Sequence, residues 1–210
     1  MVARVIETER AAYRDSGYVM LRGLFPHEVM AAFYDRLFTD LDLARRKDSF
    51  RAEGPLLTKA AIEVYSKAYA PMATFLWGLT PCMAEVAQKR LVPTYAYFRM
   101  YQKGDVCRVH SDRHACEHSL SLMLGLSDDI PWALSIERRR LDAPTSTIEE
   151  SFGGQEFASL PMAVGDGVMY QGVHHRHGRV DPNPNRWSAH LFMHWVDADG
   201  PYSDRAFDRR

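Results

Sequence analysis

His110, Ser111 and Asp112 stand in a row, and His177 follows 65 positions after Asp112. Two imidazoles and one carboxylate can occupy one face of a ferrous ion and leave the opposite positions open for a co-substrate and O2. His110 and Asp112 are two apart, so at a strand end both side chains project to one side and can share an ion. Three residues, His174, His175 and His177, compete to supply the second imidazole. If a strand runs through them, His174 points opposite to the other two. Nine positions beyond His177 stands Arg186, followed by Trp187 and Ser188. Its guanidinium could hold the far carboxylate of a dicarboxylate by a bidentate pair. Zinc held by the histidine cluster is the competing metal reading. Structural zinc wants four protein ligands, often thiolates, and the cysteines here are scattered with no C-x-x-C pair.

Composition sets the frame around these residues. The chain has 210 residues and is 46% apolar, enough for one sizeable domain, 1–210. Lys+Arg is 26 against Asp+Glu 27, so nothing points to nucleic acid by electrostatics alone. No apolar run reaches the roughly 18 residues of a membrane span, and the opening ten residues lack a signal-peptide core. Cys82, Cys107 and Cys116 are too few, and odd in number, for a disulfide framework. They read as buried thiols in a reducing cytoplasm. Eight of the nine histidines lie between His110 and His194, which places the chemistry in the second half.

The elements that must position the site follow from periodicity. Residues 1–92 read as a mostly helical cover with one early strand. Val5 to Asp15 is a helix candidate, and Gly17 to Gly23 a short strand bounded by glycines. A helix starts at Pro26 and runs to about Arg46 on the stripe Val29, Ala32, Phe33, Leu37, Leu41 and Leu43. Lys47 to Pro55 is a charged loop. Two further helices are expected at about 58–69 and 72–90, punctuated by Pro71 and Pro81.

From Pro93 the period changes to two. Tyr95, Tyr97, Arg99 and Tyr101 share one face of a strand. Glu117, Ser119, Ser121 and Met123 share a face of the next. Arg186, Ser188, His190, Phe192 and His194 share a face of a third, and each opposite face is mainly apolar. A half-exposed antiparallel sheet could turn such polar faces to water. A barrel with a polar interior suits a metal-lined cavity better, with the N-terminal helices over its apolar exterior. Gly165 to Gly167 turns the chain into a strand over Val168 to Tyr170 that delivers the second histidine. A long loop is expected over Leu141 to Gly154.

The second half resembles the 2-oxoglutarate and Fe(II)-dependent oxygenases, nearest in pattern to the prolyl-4-hydroxylase-like group. The segments that carry the likeness are Arg99 to Gly104, His110-Ser111-Asp112 and Asn185-Arg186-Trp187-Ser188. The opening stretch Tyr13 to Gly23 also resembles phytanoyl-CoA-dioxygenase-like members. The resemblance implies an α+β fold with a mainly β core: a double-stranded β-helix (jelly roll, cupin-like) over 93–198, with the N-terminal helices on the outer face of the major sheet. It also implies His110, Asp112 and His177 as the catalytic iron ligands. His177 is preferred to His175 because such enzymes carry a basic residue nine to eleven positions after the distal histidine. Arg186 would then hold the C5 carboxylate of 2-oxoglutarate, helped by Ser188 and Tyr101, with Arg179 as rival anchor. The cofactors implied are Fe(II), 2-oxoglutarate as co-substrate, and O2.

Three functions are open on these residues. The first is hydroxylation of an unactivated C–H bond in a small molecule as 2-oxoglutarate is decarboxylated to succinate and CO2. The second is the same chemistry on a peptidyl side chain, although no tyrosine follows Asp112 where several prolyl hydroxylases have one. The third is a non-catalytic, cupin-like barrel that binds metal or ligand. Substrate selection is expected in loops Lys47 to Lys59 and Arg138 to Phe157, where Arg138-Arg139-Arg140 could steer an anion. Arg113 and Glu117 are expected to pair at the rim.

Overall fold

The computed structural model describes residues 7–208. In chain order the elements are α1 (Glu7–Ser16), β1 (Tyr18–Leu21), α2 (His27–Asp40), α3 (Leu43–Arg46), β2 (Arg51–Ala52), β3 (Ala61–Tyr65) and α4 (Ala70–Ala87). There follow β4 (Leu91–Gln102), β5 (Cys107–His110), β6 (His118–Leu126), β7 (Trp132–Glu137), β8 (Phe157–Met162), β9 (Gly167–Tyr170), β10 (His177–Arg179) and β11 (Trp187–Asp197). Of the first expected helix, Val5 and Ile6 lie outside the described residues.

The strands form two sheets, with antiparallel pairing throughout. Seven run in the order β1-β9-β6-β11-β4-β3-β2, and four in the order β5-β10-β7-β8. This is a mainly antiparallel β core of the jelly-roll kind. Alternation along the central strands divides polar from apolar residues as the period-two pattern predicts. Ala96 and Phe98 of β4, Leu120 and Leu122 of β6, and Leu191 and Met193 of β11 share one apolar cluster with Met30 and Leu37 of α2 and Met72, Leu76 and Met83 of α4. Their strand neighbours Tyr101, Ser121 and His190 are buried on the other face, between the sheets.

Two helical expectations need correction. The segment expected as a helix at 58–69 holds β3 instead, with Ile62 opposite Met100, Glu63 opposite Arg99 and Val64 opposite Phe98. Its Ile-Glu-Val-Tyr run finds a strand partner in β4, and the Glu63–Arg99 ion pair at 2.6 Å rewards that register over local helix formation. The long helix expected from Pro26 breaks at Asp42, which adopts a left-handed φ of 48°, and resumes as α3. Helix α4 has Pro71 in its first turn, where the missing N–H costs nothing. It ends at left-handed Gln88. Strands β7 and β8 carry no clear sequence signal. The segment 141–154 is a loop, tied down by a bridge between Val109 and Glu149.

Candidate metal centre

His110 ends β5 and His177 begins β10, and the register places these two residues directly opposite each other. Their rings lie 4.4 Å apart between centroids. Asp112 sits just beyond β5, its N–H donating to the Gly172 carbonyl at 2.9 Å. Asp112 Oδ1 stands 3.6 Å from His110 Nε2 and 3.5 Å from His177 Nε2. One ligand atom from each of the three lies within 4.8 Å of the others, the convergence a single cation requires.

Backbone carbonyls set the two imidazoles. His110 Nδ1 donates to the Arg108 carbonyl at 2.8 Å, and His177 Nδ1 to the His175 carbonyl at 2.9 Å. With Nδ1–H engaged, each Nε2 carries the free lone pair, and those are the two atoms turned toward Asp112. The carboxylate is held just as closely. Ser119 Oγ donates to Asp112 Oδ2 at 3.2 Å, and a Cβ on Gly172 would stand 2.2 Å from that same oxygen. Oδ1 is therefore left for an ion. Burial pushes the Asp112 pKa up, but His177 and His110 outweigh it and hold the group well below the usual carboxylate range. Burial lowers His110, helped by the His177 charge. Burial also opposes protonation of His177, yet the pull of Asp112 leaves its pKa raised.

The three residues line one end of a narrow cavity between the sheets. His110 and Asp112 have side chains 15% and 16% exposed, so this end opens outward. The other end is closed by Arg179, 1% exposed, and Tyr101. Arg179 is two after His177 on β10, so both point the same way. Its Nη1 donates to the Trp132 carbonyl at 2.9 Å, and its Nη2 to Ser121 Oγ at 3.3 Å and His190 Nδ1 at 3.1 Å. The guanidinium also lies 4.8 Å from the Trp132 ring centroid. It forms no ion pair with a carboxylate among the described residues. Burial accordingly pulls its pKa below the ordinary arginine value. Arg99, the other buried guanidinium here, is neutralised by Glu63 and donates to the Tyr101 hydroxyl at 3.1 Å.

Several sequence expectations are corrected at this point. Arg186 does not reach the cavity. It precedes the first residue of β11, its side chain is 72% exposed, and its Nε donates to Asp128 Oδ1 at 3.1 Å. The strand-face argument that placed it inside holds only within the paired region, and pairing begins at Trp187. Ser188 is buried on the expected face. It accepts from Asn183 Nδ2 at 3.2 Å and contacts His190 Nε2 at 3.3 Å, so it supports His190 rather than lining the cavity. His175 is buried outside the cluster, its Nδ1 donating to the Glu137 carbonyl at 2.9 Å. Arg113 and Glu117 do not pair with each other. Arg113 bonds Asp208 at 2.6 Å, and Glu117 accepts from the Asp197 N–H at 2.8 Å. Cys107 and Cys116 are buried, while Cys82 is half-buried.

Residues that sequence reasoning passed over also line the cavity, among them Tyr97, Tyr170, Phe192 and His194. Tyr97 and His194 were visible on the polar faces of their strands, but nothing in the spacing joined them to the triad.

No protein-family model matches this chain, and no curated protein matches it. Solved structures do. The non-haem alpha-ketoglutarate-dependent carbocyclase SnoK from nogalamycin biosynthesis superposes with a TM-score of 0.70 at 13% identity, covering 93% of this chain and 85% of that one. HygX from Streptomyces hygroscopicus, solved with nickel and 2-oxoglutarate bound, gives 0.69 at 10% identity over 93% and 89%. An oxidoreductase of the 2OG-Fe(II) oxygenase family from Burkholderia pseudomallei gives 0.66 at 16% identity over 99% and 98%. The chain has the fold of the 2-oxoglutarate and Fe(II)-dependent oxygenases.

Proposed function

We propose that this protein is an Fe(II)- and 2-oxoglutarate-dependent oxygenase acting on a small molecule, with 1–210 as one catalytic domain. His110 Nε2, His177 Nε2 and Asp112 Oδ1 would hold the metal. When bound, ferrous ion with 2-oxoglutarate and O2 supplies the oxidising equivalents for attack on a C–H bond, as the keto acid is decarboxylated to succinate and CO2.

The observation that carries the reading is the state of Arg179. A guanidinium 1% exposed without a carboxylate is a costly arrangement, of the order of several kcal/mol. A dianionic co-substrate reaching inward from the metal would supply the missing charge. Arg179 would bind its far carboxylate, and the Tyr101 hydroxyl, oriented by Arg99, would add a hydrogen bond. His190 accepts from Arg179, stays neutral because burial and the Arg179 charge depress its pKa, and so holds the guanidinium without competing for the anion. The apolar walls Trp132, Leu134 and Phe192 exclude water around that pair.

HygX was solved with hygromycin B as well as 2-oxoglutarate, and SnoK is named for nogalamycin biosynthesis. Both names favour a small-molecule substrate here over a peptidyl one. The deciding experiment supplies ferrous ion, O2 and 2-oxoglutarate to the purified protein and measures succinate. Succinate release dependent on His110 supports the oxygenase reading. Tight metal binding with no succinate under any substrate mixture would leave a non-catalytic, cupin-like barrel.

A further inference from the structure

On the open side of the cavity, one imidazole has work that neither the metal nor the co-substrate explains. His194, on β11, is 2% exposed and lines the cavity with the triad. Ser119 Oγ joins it to the metal centre, standing 3.2 Å from Asp112 Oδ2 and 2.9 Å from His194 Nδ1. A hydroxyl has one proton, and an ionised carboxylate can only accept it. The Ser119 proton goes to Asp112 Oδ2, with the Cys116 carbonyl as a second acceptor at 3.3 Å; both can only accept, so Ser119 accepts from His194 Nδ1–H. That fixes the His194 tautomer and leaves Nε2 as a bare lone pair. Nε2 is buried and finds no hydrogen-bond partner among the described residues. Polar atoms in such a position are rare without a reason.

The ring is also clamped. Tyr95 lies 4.6 Å from it between centroids and Tyr97 5.9 Å, the latter stacked at 19°. Tyr65 stacks on both tyrosines at 6.3 Å and 5.4 Å and is 42% exposed. The three tyrosines stack on one another, and the guanidinium groups of Arg113 and Arg99 lie over Tyr95 at 4.4 Å and Tyr97 at 5.2 Å, so the wall that holds His194 is packed on both sides.

We propose that His194 Nε2 is a specificity-determining acceptor, which takes the hydroxyl or amine hydrogen of a substrate bound beside the metal. The proposal rests on the oxygenase reading of the same cavity and adds the substrate class. A site built to bond a donor rejects an analogue without one strongly, because the lone pair is then left unmet. Ser119 is a positioning residue: it holds Asp112 and, toward His194, acts by setting the tautomer.

The test compares two probes, benzyl alcohol and benzyl methyl ether, by calorimetry on protein loaded with nickel and 2-oxoglutarate and on metal-free protein. The expected result is at least tenfold tighter binding of the alcohol. His194→Gln, which keeps an acceptor, should retain part of that preference, and His194→Phe should erase it. Ser119→Ala should reduce it several-fold, and it provides a second readout if His194→Phe does not fold. The proposal is overturned by a preference that survives His194→Phe, by equal binding of the two probes, or by binding of neither. Uptake of two zinc equivalents, with the second lost in Cys116→Ser, would also overturn it, since Nε2 would then serve a metal with Cys116 and Asp112. Titration of 2-oxoglutarate into nickel-loaded protein tests the oxygenase reading by itself. If that fails while the probe preference still depends on His194, the acceptor role stands and the co-substrate assignment falls.

Discussion

Gly178 passes so close to Cys107 that a Cβ on it would stand 2.7 Å from the Cys107 carbonyl oxygen. The contact presses β10 against β5 between the two residues that face the cavity, His177 and Arg179. Gly178→Ala should push those strands apart, costing about 1–3 kcal/mol, the usual penalty for overpacking a closed site. Metal affinity and 2-oxoglutarate affinity should fall together, because the two side chains move as one. Denaturant unfolding and calorimetry on the same variant check both, and loss of one affinity without the other would contradict this coupling.

The two arginines should behave in opposite ways. Arg179→Met removes the buried cation and should weaken 2-oxoglutarate by about 2–4 kcal/mol, the range for one partner of a desolvated charge pair. The co-substrate-free protein should lose little stability, because an isolated buried charge disappears with it. Arg186→Ala touches only an exposed pair with Asp128 and should change stability by less than about 1 kcal/mol, with co-substrate affinity unaltered. An Arg186 variant with a raised 2-oxoglutarate requirement would return the anchor to that residue.

Metal binding separates the neighbouring histidines. Nickel or ferrous ion should raise the melting temperature of the native chain, and His110→Ala or His177→Ala should abolish that rise. His175→Gln should keep it, because His175 supplies only its backbone carbonyl to His177. Its buried ring bonds the Glu137 carbonyl, so a lower baseline melting temperature is expected in that variant.

Acid should destabilise the fold partly through His118. This ring is 5% exposed and within 2.6 Å of the Tyr13 hydroxyl, and burial depresses its pKa to about 4. The unfolded chain takes up that proton near the ordinary histidine value of about 6.5, so between those limits it binds more protons than the native state. The contribution is complete above about pH 6.5 and is lost as pH falls through about 4, amounting to about 3 kcal/mol for this group. His118→Asn should flatten the decline in stability measured by urea unfolding between pH 7 and pH 4.5. An unchanged slope would place the acid sensitivity elsewhere.

The residue order by itself determined the vocabulary of the candidate site: an H-x-D pair, a later histidine, and three strands whose alternation marks one polar face each. Those features are local. Period-two alternation is a property of the extended backbone, and Tyr101, Ser121 and His190 lie inside the core where that period puts them. Tertiary structure decided the rest. Register set His177 opposite His110 and left His175 beside Glu137. It drew Ala61 to Tyr65 into a strand between β4 and β2 that short-range helical preference would not predict. It also carried Arg179, and not Arg186, into the cavity, because an interval counted along the chain does not say where strand pairing begins. Arg186 falls one residue before it and turns to Asp128, whereas Arg179 lies within β10 and is carried into the interior. The Asp112–Ser119–His194 connection is likewise invisible along the chain, since it joins a loop to two strands that meet only when the sheet closes.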